Sequence, residues 1–493
     1  MSDSAASMSS GRTYRFDPLD RGVVFGLGVS QLAIMGMSGA LWLVAMITRV
    51  PFLLPTLVLA VAWALALVPV NGQPLAMWLP IVGRWLAGGR QRRWFRPLQL
   101  LTAEELDRLA PALPPFLRGL ELIALDAVGW GAIRDRGEGT MTAVVPISGS
   151  GFLTLPRAEQ EWLLAGWGAV FTSFADDGSS VVRLCWSDIA RPANLEDHEE
   201  WAARQAGDGG GTRLSEYLAF TRSTNPTRHD LVVSITVRAG RARSRANGAG
   251  MAEVLLSAVE VLRDALKEAR LATGDPLSAH ELAFMLRAGL DPTTVDPRGG
   301  RRSGPLASRL GLVPPSEAGP MMTMTQANRI VIDGSHHRIY WVSGWPEMAQ
   351  QPDWFEPLLS TEVGSVQRTV TVVIEPIAED KAIRKEGAAD VRLTSDNNAR
   401  AEAQRRVGAR DVRKQAAART REEEIVSGFA GVSYAGLVTI TAPLGDDLVR
   451  ACRSYERRFY RRRVSLRLLW GRQDLAMASG LPLGLGLSRS SPL

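Results

Sequence analysis

The stretch RGVVFGLGVSQLAIMGMSGALWLVAMITR, residues 21–49, decides how the chain is read. Between Arg21 and Arg49 lie 27 residues without a charge, among them Val23, Phe25, Leu27, Leu32, Ile34, Leu41, Trp42 and Ile47. A bilayer core takes about 20 apolar residues as helix, so the run is long enough to span one. A second uncharged run extends from Val50 to Gly83 and is most apolar from Phe52 to Val68. Arg49, Val50 and Pro51 leave only a tight turn between the two runs. Together they predict a transmembrane helical hairpin. A signal peptide fails on length and on the second run. A buried helix pair is the other alternative, disfavoured by span length.

Arginine sets the expected orientation. Arg12, Arg15 and Arg21 precede the first run, Arg84, Arg90, Arg92, Arg93 and Arg96 follow the second, and only Arg49 lies between them. Positive charge stays on the cytoplasmic side, which predicts a multi-pass inner-membrane protein with both termini in the cytoplasm. Trp78, Trp85 and Trp94 alternate with the trailing arginines, as in a helix lying at a membrane interface. The expected anchoring residues are therefore Arg21, Trp42, Arg49, Trp78, Trp85, Arg92, Arg93 and Trp94, with membrane lipids as the partner. Gly22, Gly26 and Ser30 recur every four residues, a spacing that lets helices approach closely.

The chain has 493 residues, room for two or three domains. Of its 57 basic residues only four are lysine, and the net charge is +6, which permits an anionic partner without requiring one. Cys185 and Cys452 are the only cysteines, too few for a disulfide framework or a zinc site, and they suit a reducing compartment.

The pattern beyond residue 96 predicts an α+β body in two halves, residues 97–295 and 306–485, behind the hairpin of residues 1–96. Leu120–Leu125, Trp130–Arg134 and Thr140–Ile147 read as strands. A helix follows Pro156, with Leu163, Trp167, Val170 and Phe171 on one side. Val181–Trp186 and Leu231–Val237 read as strands, and Leu214–Phe220 and Ala249–Leu271 as helices. Ser278 and Glu281 cap another helix, as Thr102 and Glu105 do near the start of the body. Asp296–Pro305, rich in Gly, Arg and Pro, reads as a linker.

In the second half Asp333-Gly334 sits between two strands as a hairpin turn. Thr369–Ile377, Leu437–Thr441 and Val464–Trp470 read as strands, and Asn398–Ile425 as a long solvated helix. On the helix between the last two strands, Leu448, Cys452, Tyr455 and Phe459 make an apolar stripe. Arg450, Arg453, Arg457, Arg458, Arg461, Arg462 and Arg463 crowd its other side. With no aromatic residue expected among them, this face reads as a protein interface or a solvated face before a nucleic-acid platform. Arg450, Arg453, Arg457, Arg458, Arg461 and Arg462 are the candidate partner-binding residues.

Catalytic motifs are absent from the sequence. No lysine follows a glycine anywhere, so there is no phosphate loop of the G-x-x-x-x-G-K-[ST] kind. H-E-x-x-H, G-x-S-x-G and G-x-G-x-x-G are missing as well. The five histidines are scattered, and neighbouring His336 and His337 on a strand point to opposite faces. The expectation is a non-enzyme with no cofactor and no metal.

Five segments carry a resemblance. YRFDPLDR (14–21), leading into the apolar runs, and VNGQPLAMWL (70–79) resemble the PrgI-like two-helix inner-membrane subunit of type IV secretion and conjugation machines of the actinobacterial kind. TMTAVVPIS (140–148), YWVSGWP (340–346) and LAMASGLPLG (475–484) resemble the N-terminal, non-motor domain of the VirB-type assembly ATPase of those machines. In that family a Leu-Pro stretch precedes the nucleotide-binding domain. The resemblance implies a fusion without its motor: a non-catalytic inner-membrane scaffold of a conjugative DNA or protein transfer machine. Its implied partners are a separate secretion-type ATPase and other membrane subunits, in an oligomer. A type VII secretion membrane component and a membrane-tethered DNA-binding protein are the alternative classes, with nucleic acid permitted but not required.

Overall fold

The computed structural model describes residues 29–48, 51–70, 73–87, 92–96, 111–149, 151–176, 178–192, 195–206, 211–223, 227–238, 248–295, 314–346, 350–359, 366–377, 382, 384 and 431–486. Arg21, Arg49, the Thr102–Glu105 capping box, the Asp296–Pro305 linker and the Asn398–Ile425 helix lie outside the described residues.

The N-terminal part corrects the first expectation. Helix α1 is Val29–Ile47 and α2 is Leu53–Leu67. At 1.5 Å per residue the 15 residues of α2 reach only about 22 Å, against a hydrocarbon core of about 30 Å. A two-residue ladder of β1 (Pro69–Val70) and β2 (Gln73–Pro74) then turns the backbone away from the helix. Among the described residues, no helix is long and apolar enough to cross a membrane. The transmembrane hairpin of residues 1–96 and the multi-pass inner-membrane location are thereby overturned. An uncharged run is not the same length as the helix it forms. The two helices do pack, with polar groups satisfied between them. Gln31 Nε2 donates to the Ala66 carbonyl at 2.6 Å, and Trp42 Nε1 to Thr56 Oγ1 at 3.2 Å.

The next expectation also changes. Helix α3 (Leu75–Ala87) carries Trp78, whose Nε1 donates to the Val70 carbonyl at 3.1 Å, and Trp85. Arg92, Arg93 and Trp94 are not on an interfacial helix. They form strand β3 (Arg92–Phe95), paired with the body. Arg92 faces Asp474 at 3.4 Å, and Arg96 Nη2 donates to the Ser316 carbonyl at 2.9 Å. Extended backbone put these side chains on a sheet edge, with partners in the protein.

The body is mixed α/β, built on one 13-stranded antiparallel sheet. Its first part runs β4 (Leu120–Leu125), β5 (Trp130–Asp135), β6 (Thr140–Ser148), α4 (Arg157–Thr172), β7 (Val181–Pro192), α5 (Glu196–Ala206), α6 (Gly211–Ser223), β8 (Thr227–Arg238), α7 (Gly248–Glu268), β9 (Ala272–Thr273) and α8 (Ala279–Leu290). The second runs β10 (Met322–Thr325), β11 (Ile330–Ile332), β12 (Ser335–Gly344), α9 (Glu356–Leu359), β13 (Gln367–Ile377), β14 (Gly431–Pro443), α10 (Leu448–Arg461), β15 (Ser465–Leu468) and α11 (Gln473–Gly480).

The two parts are one motif used twice. Sheet order is β4-β5-β6-β8-β7 in the first and β10-β11-β12-β14-β13 in the second. In each, a helix follows the fifth strand, a short strand returns to pair with the third, and a second helix closes the unit. The units meet through their fourth strands, β7 and β13, paired antiparallel from Leu184–Ile374 to Ala190–Arg368. That junction imposes a pseudo-two-fold axis normal to the sheet.

Strand alternation sends side chains to two buried faces, as expected when helices cover both. On one face α8 and α11 sit over a core shared by both units, including Ile133, Val144, Val232, Ile330, Ile339 and Leu437. On the other, α4 and α7 cover the first unit and α10 the second, with Trp186 packed against both clusters. The capping box at Ser278 and Glu281 is formed.

After α11 the chain crosses back onto the first unit. Ser234 Oγ donates to the Pro482 carbonyl at 2.9 Å, and Arg183 Nη1 to the Gly484 carbonyl at 3.0 Å. Gly484 has φ +66°, and a Cβ there would lie 2.7 Å from both Thr142 Cγ2 and Thr236 Oγ1. Strap and sheet therefore leave no room for a side chain. We expect Gly484→Ala to destabilise the protein by about 1–3 kcal/mol, read as a lower urea midpoint. An unchanged midpoint would show that the strap does not bear on the fold.

Candidate docking surface on the arginine helix

Helix α10 owes its position to one stripe. Leu448, Ala451, Cys452, Tyr455 and Phe459 are buried against β12 and β14, as the sequence spacing requires. Asp447 caps its N-terminus, accepting from the Arg450 amide at 2.9 Å. The other side is left to solvent. Arg450, Arg453, Arg457, Arg461 and Arg462 are exposed there, and none forms an ion pair with a described residue. Arg458 is the exception among the six candidates: it is half-buried, its guanidinium 5.8 Å from the centre of the Tyr455 ring. Tyr460 is 82% exposed beside Arg453 and Arg457. The expectation of a face without an aromatic residue is corrected by it.

Beneath α10 the packing is polar as well as apolar. Tyr340 Oη donates to Glu456 at 2.7 Å, tying the helix to β12. Deeper, on the seam between units, Arg368 on β13 is fully buried and pairs with Asp188 on β7, also fully buried. Asp188 takes a second contact from His229 Nδ1 at 2.8 Å, and Arg368 Nη1 donates to the Leu358 carbonyl at 2.5 Å. Burial pulls the Arg368 guanidinium down, and the Asp188 carboxylate opposes that pull. Beside this cluster Ser187 Oγ and Thr371 Oγ1 lie 3.2 Å apart at the middle of the junction.

The opposite face of the seam holds a cavity of about 50 Å³ between α8, α11 and the β7–β8 ends. Met285, Met477 and Leu481 line it, with Gln367 and Thr369 from β13. It has space for a few waters at most.

Neither thiol is poised for chemistry. Burial raises Cys185 to about 12 and Cys452 to about 11, so both stay protonated and unreactive. No group of three His, Cys, Asp or Glu that could hold a metal occurs among the described residues.

Of the expected site residues, the structure gathers the arginines of α10 on one ridge and scatters the rest. Trp42 is inside the α1–α2 pair, Trp78 is on α3, and Arg92, Arg93 and Trp94 are on β3. The seam cluster of Asp188, His229 and Arg368 was not singled out. Its members lie 180 residues apart for the Arg368–Asp188 pair, on strands that gave no sign of pairing. Among known proteins, no family model matches the chain and no curated protein matches it.

Two outcomes follow from the buried polar groups. Removing one member of a buried ion pair strands the other, at a cost of about 3–5 kcal/mol. Asp188→Ala should therefore lower the urea midpoint strongly, and the double variant Asp188→Leu with Arg368→Met should recover much of the loss. Equal loss in both would assign the effect to packing alone. The second outcome concerns pH. Burial lowers His337 from 6.5 to about 4, and its Nδ1 lies 2.8 Å from Thr441 Oγ1. The unfolded chain takes up this proton first. The contribution of His337 is complete above about pH 6.5 and is lost as pH falls toward about 4. His337→Asn should flatten the fall in melting temperature across that window; a slope identical to wild type would exclude His337 as a source.

Proposed function

We propose that the chain is a non-catalytic docking scaffold of a type IV secretion-like transfer machine, whose partner is a separate secretion-type ATPase. The observation that carries this reading is the ridge of Arg450, Arg453, Arg457, Arg461 and Arg462, exposed and unmatched by acidic side chains among the described residues. Such a ridge attracts an acidic protein surface, steers the encounter and weakens with salt. The resemblance of residues 140–148, 340–346 and 475–484 to the non-motor domain of the assembly ATPase supports the choice of partner. In that family domain and motor share one chain at high effective concentration, and an interface between two chains would have to replace the link. The sequence has no lysine that could serve a phosphate loop, which supports a role without ATP turnover.

Tyr460 favours a second reading. An exposed aromatic ring beside arginines is one element of a single-stranded nucleic-acid platform. A steep fall of DNA affinity with salt, reduced by Tyr460→Ala, would select it.

The docking reading is tested by affinity capture from extract of the source cells at low salt, with mass spectrometry. Wild type should recover a chain carrying a phosphate-loop ATPase domain. Arg453→Glu, Arg457→Glu, Arg461→Glu and Arg462→Glu together should reduce that recovery about tenfold or more. Absence of any such ATPase with wild type would overturn the reading, and equal recovery with the variant would move the docking site elsewhere.

A further inference from the structure

The two units of the sheet place α7 and α10 at equivalent positions on one face. Their buried sides correspond residue for residue. Leu255, Ala258, Leu262 and Leu266 of α7 occupy the places of Leu448, Ala451, Tyr455 and Phe459 of α10, and all eight are buried. The left-handed residues that end the two helices, Arg270 and Arg463, match at the same spacing. The exposed sides correspond in position and oppose each other in charge. Glu260, Asp264 and Glu268 are exposed on α7 at i, i+4 and i+8, the positions of exposed Arg453, Arg457 and Arg461 on α10. Glu253 extends the acidic ridge and Arg450 the basic one. Of the basic groups near it, Lys267 is exposed, Arg263 is paired with Asp275 at 3.2 Å, and Arg270 lies over the Trp162 ring at 4.6 Å. On the basic ridge Glu456 is held by Tyr340, and Asp447 is engaged as the helix cap.

We propose that the chain pairs face to face with a second copy of itself, the acidic ridge of α7 in each copy seated on the basic ridge of α10 in the other. The pseudo-two-fold axis makes this geometry self-complementary. It sets the two helices on opposite sides of the seam, on one face of one sheet. A true two-fold axis parallel to the strands, lying over the seam just outside the helix surfaces, brings that face onto its own copy. The same rotation exchanges left for right. Each α10 then meets an α7, and the interface closes as an isologous dimer with two identical contacts. Any displacement that set like ridges together would oppose three charges to three of the same sign, so charge fixes the register as well as the pairing. This pairing rests on the reading of α10 as a docking surface and names one occupant of it. Dimer and ATPase complex are then alternative states of the same ridge.

Sedimentation of the purified full chain measures it, with a non-ionic detergent covering the exposed apolar side chains of α1 and α2. Wild type should dimerise at low salt, and its dissociation constant should rise about tenfold or more from about 50 mM to about 500 mM NaCl. The variant Arg453→Glu, Arg457→Glu, Arg461→Glu carries two acidic ridges and should be monomeric. The variant Glu260→Arg, Asp264→Arg, Glu268→Arg carries two basic ridges and should also be monomeric. Mixed one to one, the two should form a heterodimer, because both contacts are again complementary. That rescue separates docking from misfolding. A wild type that stays monomeric at low salt overturns the pairing, and so does association that ignores salt or either set of reversals. So does a failure of the two variants to combine. A monomeric wild type that still captures the ATPase would sink the dimer and leave the docking reading standing. A salt-sensitive dimer that captures no ATPase would do the reverse.

Discussion

The antiparallel ladder between β7 and β13 is the constraint on which the rest depends. It is where two units become one sheet, and it is held at its centre by groups that do not tolerate being left alone. A fully buried guanidinium, Arg368, and a fully buried carboxylate, Asp188, meet across it. Each is costly to bury, and each is bearable only because the other is present, with the Leu358 carbonyl and His229 taking remaining hydrogen bonds. A shift of the ladder by one residue would turn these side chains to opposite faces, so they also specify its register.

Once that junction is set, the remaining elements fall into pairs. Each unit needs helices on both faces, because its strands are apolar on both. The face with α8 and α11 is a single core, and the strap after α11 runs from the second unit onto the first. Its carbonyls accept from Ser234, Thr236 and Arg183, so its backbone is hydrogen-bonded where it is buried. The other face is two cores joined at Trp186. Folding constrains only the buried stripe of α7 and α10. Their solvent sides were free to diverge, and one became acidic and the other basic.

That divergence gives the protein a polarised face, and no group of three His, Cys, Asp or Glu that could hold a metal occurs among the described residues. Its thiols are buried and protonated, its histidines are spread over α5, β8, α8 and β12, and the cavity at the seam has space for little more than water. What the face offers is a field: a row of positive charge with an exposed tyrosine on one side of the seam, and a row of negative charge on the other. Charges of this kind fix orientation and rate of encounter more than they add affinity, a property that suits a scaffold whose contacts must be exchanged.

Much of the local structure was legible in the sequence, because it depends on near neighbours. Short apolar runs between turn residues marked β4 to β8, Ser278 and Glu281 marked the start of α8, and Asp333-Gly334 marked the β11–β12 turn. The stripe of Leu448, Cys452, Tyr455 and Phe459 located α10 and, by exclusion, its arginine ridge. Misreadings arose where length or pairing mattered. The uncharged run at residues 50–83 measured absent charge and not helix length, since α2 covers only Leu53–Leu67 of it. Arg92, Arg93 and Trp94 were assigned to an interfacial helix because a sequence does not show which edge a short strand will join. The tertiary structure alone decided that both units share one sheet, that Arg368 meets Asp188, and that α7 and α10 are equivalents of opposite charge. Each of these is a relation between residues far apart in the chain. Such relations come from closing a sheet on itself across nearly two hundred residues, and nothing in the local pattern of either strand encodes the identity of its partner.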